Sequence, residues 1–475
     1  MISSDVPSKR TPGFPGGPMT APREDAPERC PASASPSGPF ADPHAPHDLA
    51  PAEDGLAQLR AARKKFVFMA GTYSLGVLND HFFKQSAMMI AVAMGLAEYQ
   101  GYGTVLFTLP FILFAAPAGW MADRFSKRSV IIGAKALELV AMIVGAIGIY
   151  ATCWPLIFTM LFLMAAQSAL FSPALNGSIP ELYPAHYVTQ ANARLRVFVT
   201  VAILAGAALA GPVLYLQADL GAGGLKIPSP YGKGAVAIGV VAIALFGLLW
   251  SFGVPRFKAA NPQAPFPSTG PLHTLQSLRA IAKDRLLGVS VLANAVVWGL
   301  ANLQFLLINT LGLNQYKLGA CTSYLMATEL VGIAIGGMLA GRYCRGERWH
   351  RHLAAAGLVL SLGLCSFPGI ASLDFQGQWY GFFPLLLIVG ASGGVMIIAM
   401  ESFIQIRPAP EKKGEIWASA NFSVFLGVLL SGPLFNLLET GLEWRPTSSF
   451  AATALLAFLL TLFLFFALPR RTGSR

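Results

Sequence analysis

Hydrophobic residues in this 475-residue chain collect into runs of about 18 to 25, parted by short polar stretches, and a helix of that length crosses a hydrocarbon core of about 30 Å. The runs predict spans at 66–95, 104–122, 129–152, 155–174, 194–218, 234–253, 287–311, 323–341, 353–372, 381–405, 418–438 and 447–468. Lipid offers no partner to backbone N–H and C=O groups, so each run reads as a helix, and the alternating pattern of a membrane barrel is absent. The fold class expected is an all-α membrane protein with twelve transmembrane helices in two six-helix halves.

The polar stretches set the organisation. Residues 1–58 are rich in Pro, Ala, Ser, Gly and Asp, a mixture that cannot bury a core, and are expected to be a disordered tail without the apolar segment of a secretory signal. The longest polar interruption, Pro255 to Arg285, holds the Pro-rich "NPQAPFPSTGP" and then a basic amphipathic "LHTLQSLRAIAKDR". It divides the body into a half at 59–253, a linker at 254–286 and a half at 287–475. "GWMADRFSKR" (Gly119 to Arg128) closes the second span and "GGMLAGRYCRGE" (Gly336 to Glu347) closes the eighth, so corresponding hairpins of the two halves carry related sequences. Repeats of this kind place a substrate near the midplane, between halves that rock about it.

Composition agrees with a membrane body. Only 12% of residues are charged, against about 25% in soluble domains, and mean hydropathy is +0.57. Net charge +11 does not imply nucleic acid, because the basic residues sit in short loops rather than on one soluble face. With the N-terminus placed in the cytoplasm, 24 of the 34 Lys and Arg fall in cytoplasmic segments and only Lys226, Lys233, Lys317 and Arg445 on the other side. This bias predicts a multi-pass protein with both termini cytoplasmic. Cys30, Cys153, Cys321, Cys344 and Cys365 are scattered and read as small apolar fillers, and no metal or cofactor is expected.

Gly119-Trp-Met-Ala-Asp123-Arg124-Phe-Ser-Lys127-Arg128 resembles the loop motif G-x-L-A-D-R-x-G-R-K of the major facilitator superfamily, departing at Ser126 and, in the second copy, at Gly341 in the Asp position. The resemblance implies a cytoplasmic gate at Gly119, Asp123, Arg124, Lys127 and Arg128. "LNDHFFKQSAMMI" (Leu78 to Ile90), "FSPALNGSIPELYPAHYVTQANAR" (Phe171 to Arg194) and "IQIRPAPEKKGEIWASANFSVFLG" (Ile404 to Gly427) are similar to the bacterial lysophospholipid transporter group, including the transporter segment of acyltransferase and acyl-carrier-protein synthetase fusions. That likeness implies the major facilitator fold, the bacterial inner membrane, and lysophospholipid flipped from the outer to the inner leaflet for re-acylation. No His-x-x-x-x-Asp acyltransferase signature is present, so a separate acyltransferase would complete the work.

Within the spans, Asp80 and Lys84 lie at i, i+4 on one face of the first helix, with Asn79 and His81 beside them. A charge in lipid costs roughly 3 kcal/mol or more, so this face is expected to line the bundle interior. Asp80 either pairs with Lys84 or meets a substrate ammonium while Lys84 meets phosphate; a structural ion pair is the plain alternative. Lys135 and Glu138, at i, i+3 in the third span, are expected to join the charge network of the Asp123 loop as gate or brace. Glu329 and Glu401 are the other acids away from span ends, either balancing Lys84 from the second half or snorkelling. Asn294, Asn302, Gln304 and Asn309 in the seventh span, with Gln167 and Asn421, supply donors for a headgroup or for helix–helix hydrogen bonds. The expected substrate path is Asp80, Lys84, Asn79, Asn302, Gln304 and Glu401.

Two transport functions stand open: a monomeric flippase for lysophospholipid or another amphipathic small molecule, in contact with membrane lipids, and a proton-coupled transporter of a small hydrophobic or drug-like solute that uses Asp80. A membrane-embedded enzyme finds no nucleophile–base pair or metal cluster in the sequence.

Overall fold

A computed structural model describes residues 53–183, 185–220, 226–259, 261–263, 265–266, 270–344, 349–373, 377–408 and 413–468. Residues 1–52, most of the expected tail, lie outside it. Among the described residues the chain is helical almost throughout: α1 (Glu53–Ala93), α2 (Glu98–Leu113), α3 (Ala115–Arg124), α4 (Lys127–Ala151), α5 (Trp154–Leu182), α6 (Ala185–Leu214) and α7 (Pro230–Ser251) are followed by the linker helix α8 (Gly270–Lys283). Then come α9 (Arg285–Thr310), α10 (Cys321–Tyr343), α11 (Trp349–Cys365), α12 (Phe367–Ala371), α13 (Phe382–Ile406), α14 (Lys413–Asn436) and α15 (Pro446–Ala467).

Ten of these helical segments are long and apolar enough to cross a membrane, or eleven if the bent pair α2–α3 counts as one. Helix α1 falls outside that number because Asn79, Asp80, His81, Lys84, Gln85 and Ser86 dilute its apolar content. It also begins at Glu53, inside the stretch expected to belong to the tail.

The second span is not the single rod expected. It bends by 47° between α2 and α3, because Pro117 has no N–H for the Leu113 carbonyl and its ring crowds that oxygen. Pro368 stands in the same relation to Leu364, where α11 gives way to the short α12. Spans α9 and α14 end in π-helical turns, Leu311–Gln315 and Leu437–Gly441. One element went unforeseen, a two-strand antiparallel hairpin of β1 (Asp219–Leu220) and β2 (Lys226–Ile227) between α6 and α7. Two residues per strand are too few to leave an alternating signature.

The apolar core is drawn from two sets of helices. One large cluster comes almost wholly from residues beyond 286, joined by Ala207. Two others come from α1, α3–α7 and residues just after these helices, such as Tyr215 and Val254, with Leu313 as the one buried residue from beyond 286. The sets meet along α2 against α14, α6 against α10, and α1 against α9. Facing outward, Ile238, Leu362, Leu430 and Phe466 are exposed, as on a surface covered by lipid rather than water. Linker helix α8 buries Ile281 against Leu287, Val291, Ile404 and Ala420, fixing it to the second set. Asp284 then caps α9 by accepting from the N–H groups of Leu286 and Leu287, and Arg407 holds its other oxygen at 3.0 Å.

Candidate functional site

The loop between α3 and α4 is tied to its own helix set. Lys127 is buried and donates to the Gly177 carbonyl at 2.9 Å while pairing with Glu181, both on α5. Arg128 donates to the Phe252 carbonyl at the end of α7 at 2.8 Å, and the Asn261 N–H reaches the Asp123 carbonyl from the linker. Arg124 lies over the Trp120 ring, itself edge-on to Phe266. The Asp123 carboxylate is exposed and makes no ion pair among the described residues, and Gly119 faces open space.

Lys135 and Glu138 do not join this loop. They stand two turns and more along α4 from Lys127, which at 1.5 Å per residue is over about 10 Å away, and they turn toward α1. Their ion pair is 2.6 Å long and almost fully buried. It packs against Gly76, where an added Cβ would stand 2.5 Å from the Lys135 Nζ. A side chain there would make the Lys135 ammonium shift. Gly76 precedes Asp80 by one turn, so the pair and Asp80 line one cavity of about 300 Å³ with Tyr73, Gln167 and Ser168. Ser168 donates to Asp80 Oδ2 at 2.9 Å and receives a hydrogen bond from Gln167. Asp80 Oδ1 and Glu138 Oε1 are buried and without hydrogen-bond partners.

One turn further along α1, Lys84 enters a second chamber, between the two helix sets, with Gln85, Phe107, Asn302 and Asn309. His81 and Phe107 border both chambers. Lys84 and Asp80 form no ion pair. The Lys84 ammonium stands 4.7 Å above the Phe107 ring, and among the described residues no carboxylate of the second set pairs with it. Glu401 accepts from the Trp298 indole N–H at 3.3 Å and lies within electrostatic reach of Arg196 on α6. Glu329 is buried within the second set.

The other expected path residues divide. Asn302 lines the Lys84 chamber and donates to Ser431 Oγ at 2.9 Å. Asn79 is fully buried and donates to the Val240 carbonyl, fastening α1 to α7. Gln304 donates to the Leu300 carbonyl of its own helix and borders neither chamber.

Sequence reasoning named Asn309 as a donor for a headgroup or a helix–helix hydrogen bond but missed Gln85 and Gln100, the amides it joins across the two sets. Gln85 donates to Asn309 Oδ1 and Asn309 to Gln100 Oε1, each at 2.8 Å, and Gln100 donates to the Leu306 carbonyl at 3.4 Å. Nearby, the Gly211 N–H donates to Ser323 Oγ, whose hydroxyl points at Met89 Sδ. These side-chain hydrogen bonds between the sets lie at one end, away from the Gly119–Arg128 loop. Glutamine in an apolar run carries no charge signal, and its partners are more than 200 positions away.

A family model described as Major Facilitator Superfamily matches residues 66–432. The lysophospholipid transporter LplT of Pectobacterium carotovorum subsp. carotovorum (strain PC1) is 27% identical over 341 residues, covering 70% of this chain and 76% of the relative. That of Klebsiella pneumoniae (strain 342) is 28% identical, covering 64% and 70%. Among solved structures, a D-xylose-proton symporter superposes with a TM-score of 0.62 at 15% identity, covering 88% of this chain and 99% of that one. The inward open xylose transporter XylE from E. coli gives 0.60 at 14%, covering 88% and 98%. With this family match behind the paired helix sets and the Gly119–Arg128 loop, the chain belongs to the Major Facilitator Superfamily.

Proposed function

We propose that this protein moves lysophospholipid across the bacterial inner membrane by alternating access. Its twelve spans are the ten apolar helical segments, the bent α2–α3 pair and α1, arranged as two six-helix halves with both termini in the cytoplasm and the protein acting as a monomer. The observation that carries the reading is the division of charge along α1: Asp80 and Lys84 share one face yet line different chambers, with no ion pair between them. A buried charge without a partner is costly. A zwitterionic headgroup supplies both partners, its ammonium to the Asp80 oxygens and its phosphate to Lys84, while a lateral opening leaves the acyl chain in the bilayer. The similarity to lysophospholipid transporters supports that substrate class.

The hydrogen bonds between halves close the outer end here, so the conformation is inward-facing, and Gly119, Asp123, Arg124, Lys127 and Arg128 form the cytoplasmic gate. Lys135 and Glu138 are reassigned from that gate to the inner chamber. Asn302 stays with the path, Glu401 stands at its inner mouth facing Arg196, and Asn79 and Gln304 brace helices. Re-acylation of the delivered lipid falls to a separate acyltransferase.

The buried carboxylates Asp80 and Glu138 also favour a second reading, proton-coupled transport of a small hydrophobic solute. Reconstituted Asp80→Asn and Lys84→Ala proteins separate the two. The flippase reading expects both to fold and both to lose lysophosphatidylethanolamine transport, with no dependence on an imposed proton gradient. Gradient-driven uptake that Asp80→Asn abolishes and Lys84→Ala spares would favour the solute.

A further inference from the structure

Resting on the flippase reading, we propose that Gln85 and Asn309 are phosphate ligands that double as the latch of the outer gate, so that binding the headgroup and closing the outer end compete for the same amide hydrogens. Both residues line the Lys84 chamber, and both are spent on the contact between halves: Gln85 Nε2 on Asn309 Oδ1, Asn309 Nδ2 on Gln100 Oε1. All three amides are at most 4% exposed, so their donors and acceptors must find partners in whichever state the transporter adopts. When the halves part at the outer end, these bonds break beside a lysine that has no carboxylate partner. A phosphodiester arriving there offers charged acceptor oxygens, and hydrogen bonds to them are about twice as strong as those between neutral amides. Lys84, Gln85 and Asn309 then form one anion site drawn from both halves.

The competition gives the cycle a release step. As the outer end closes, Gln85 turns to Asn309 and Asn309 to Gln100. The phosphate loses both amide donors while the path toward the Asp80 chamber and the inner end is open. A ligand shifts a conformational equilibrium only by its difference in affinity between the states, and these two amides supply such a difference. Gln100 belongs to the latch alone, since it does not line the chamber.

That distinction makes the test. Full-length Asn309→Ala and Gln100→Ala proteins, each carrying Met88→Cys in the chamber wall, are reconstituted and compared with a Met88→Cys control. Two readouts are taken: labelling of the added cysteine by an impermeant thiol reagent from outside, and the apparent KM for lysophosphatidylethanolamine in the outer leaflet. Both variants should label faster than the control. Asn309→Ala should raise KM roughly tenfold, the scale of one lost hydrogen bond to a charged group. Gln100→Ala should leave KM at or below the control value, because it enlarges the population competent to bind from outside. Equal KM values in the two variants would overturn the proposal and leave Asn309 a latch only; raised KM without faster labelling would overturn it from the other side. Asn309→Asp, which keeps the acceptor for Gln85 but loses both donated hydrogens, should raise KM if the alanine variant does not fold. Failure of the unmodified protein to move the lipid would instead sink the flippase reading itself.

Discussion

The Lys135–Glu138 pair and Asp80 place three ionisable groups around one chamber, and Gly76 decides how closely the first two approach α1. Removing one member of a buried pair strands the other, at a cost of about 3–5 kcal/mol. Lys135→Met should therefore lower thermal stability in detergent strongly, whereas Lys135→Met with Glu138→Leu should recover most of it. If the double variant is no more stable than the single one, the pair is not the coupled unit described. Gly76→Val should also destabilise, since its branched side chain would displace the Lys135 ammonium; wild-type melting of that variant would remove the notch from the account.

At the scale of elements, the junction of α8 and α9 depends on one carboxylate. Burial pulls Asp284 upward, but the Arg407 guanidinium and the N–H groups of Leu287 and Leu286 outweigh it and hold the group below the ordinary aspartate value of 3.8. A depressed value contributes stability above pH 3.8 that fades as the pH falls through the lower folded value. Asp284→Ala should cost about 1 kcal/mol of local stability through the lost cap, seen as faster amide exchange across residues 278–290 near pH 7. That difference from wild type should shrink as the pH falls through the lowered folded value, and a difference unchanged by acid would refute the assignment. The bend at Leu113 is likewise local: Pro117→Ala should straighten α2–α3 and shift the equilibrium between inward- and outward-facing states, visible as altered spacing of spin labels on α2 and α14. Apolar run length located most spans, because lipid enforces it. It found α1, whose polar stripe lowers its hydropathy below that of the other spans, but it set the start too late and could not see the break that Pro117 imposes on an otherwise apolar run. In the site, i, i+4 spacing placed Asp80 and Lys84 on one face, but spacing within a helix cannot tell which chamber each enters. The partners of Gln85 and Gln100 come from the other half, and nothing local announces them.

Across the molecule, the buried amides Gln85, Gln100 and Asn309 join the two helix sets at the end away from the Gly119–Arg128 loop. The first helix set carries the loop motif, departing at Ser126, and the charged chamber; Gly341 stands where the second copy would have its acid. The ionisable groups around the two chambers come from α1 and α4, and α9 contributes the amides Asn302 and Asn309. The claim that binds these features together is that they serve a lysophospholipid headgroup crossing the membrane. Its most direct test is the inward movement of labelled lysophosphatidylethanolamine in liposomes containing the purified protein, measured against protein-free vesicles of the same lipid. The account expects protein-dependent transfer to the inner leaflet that Lys84→Ala abolishes in a folded protein; a rate equal to that of empty vesicles would contradict it.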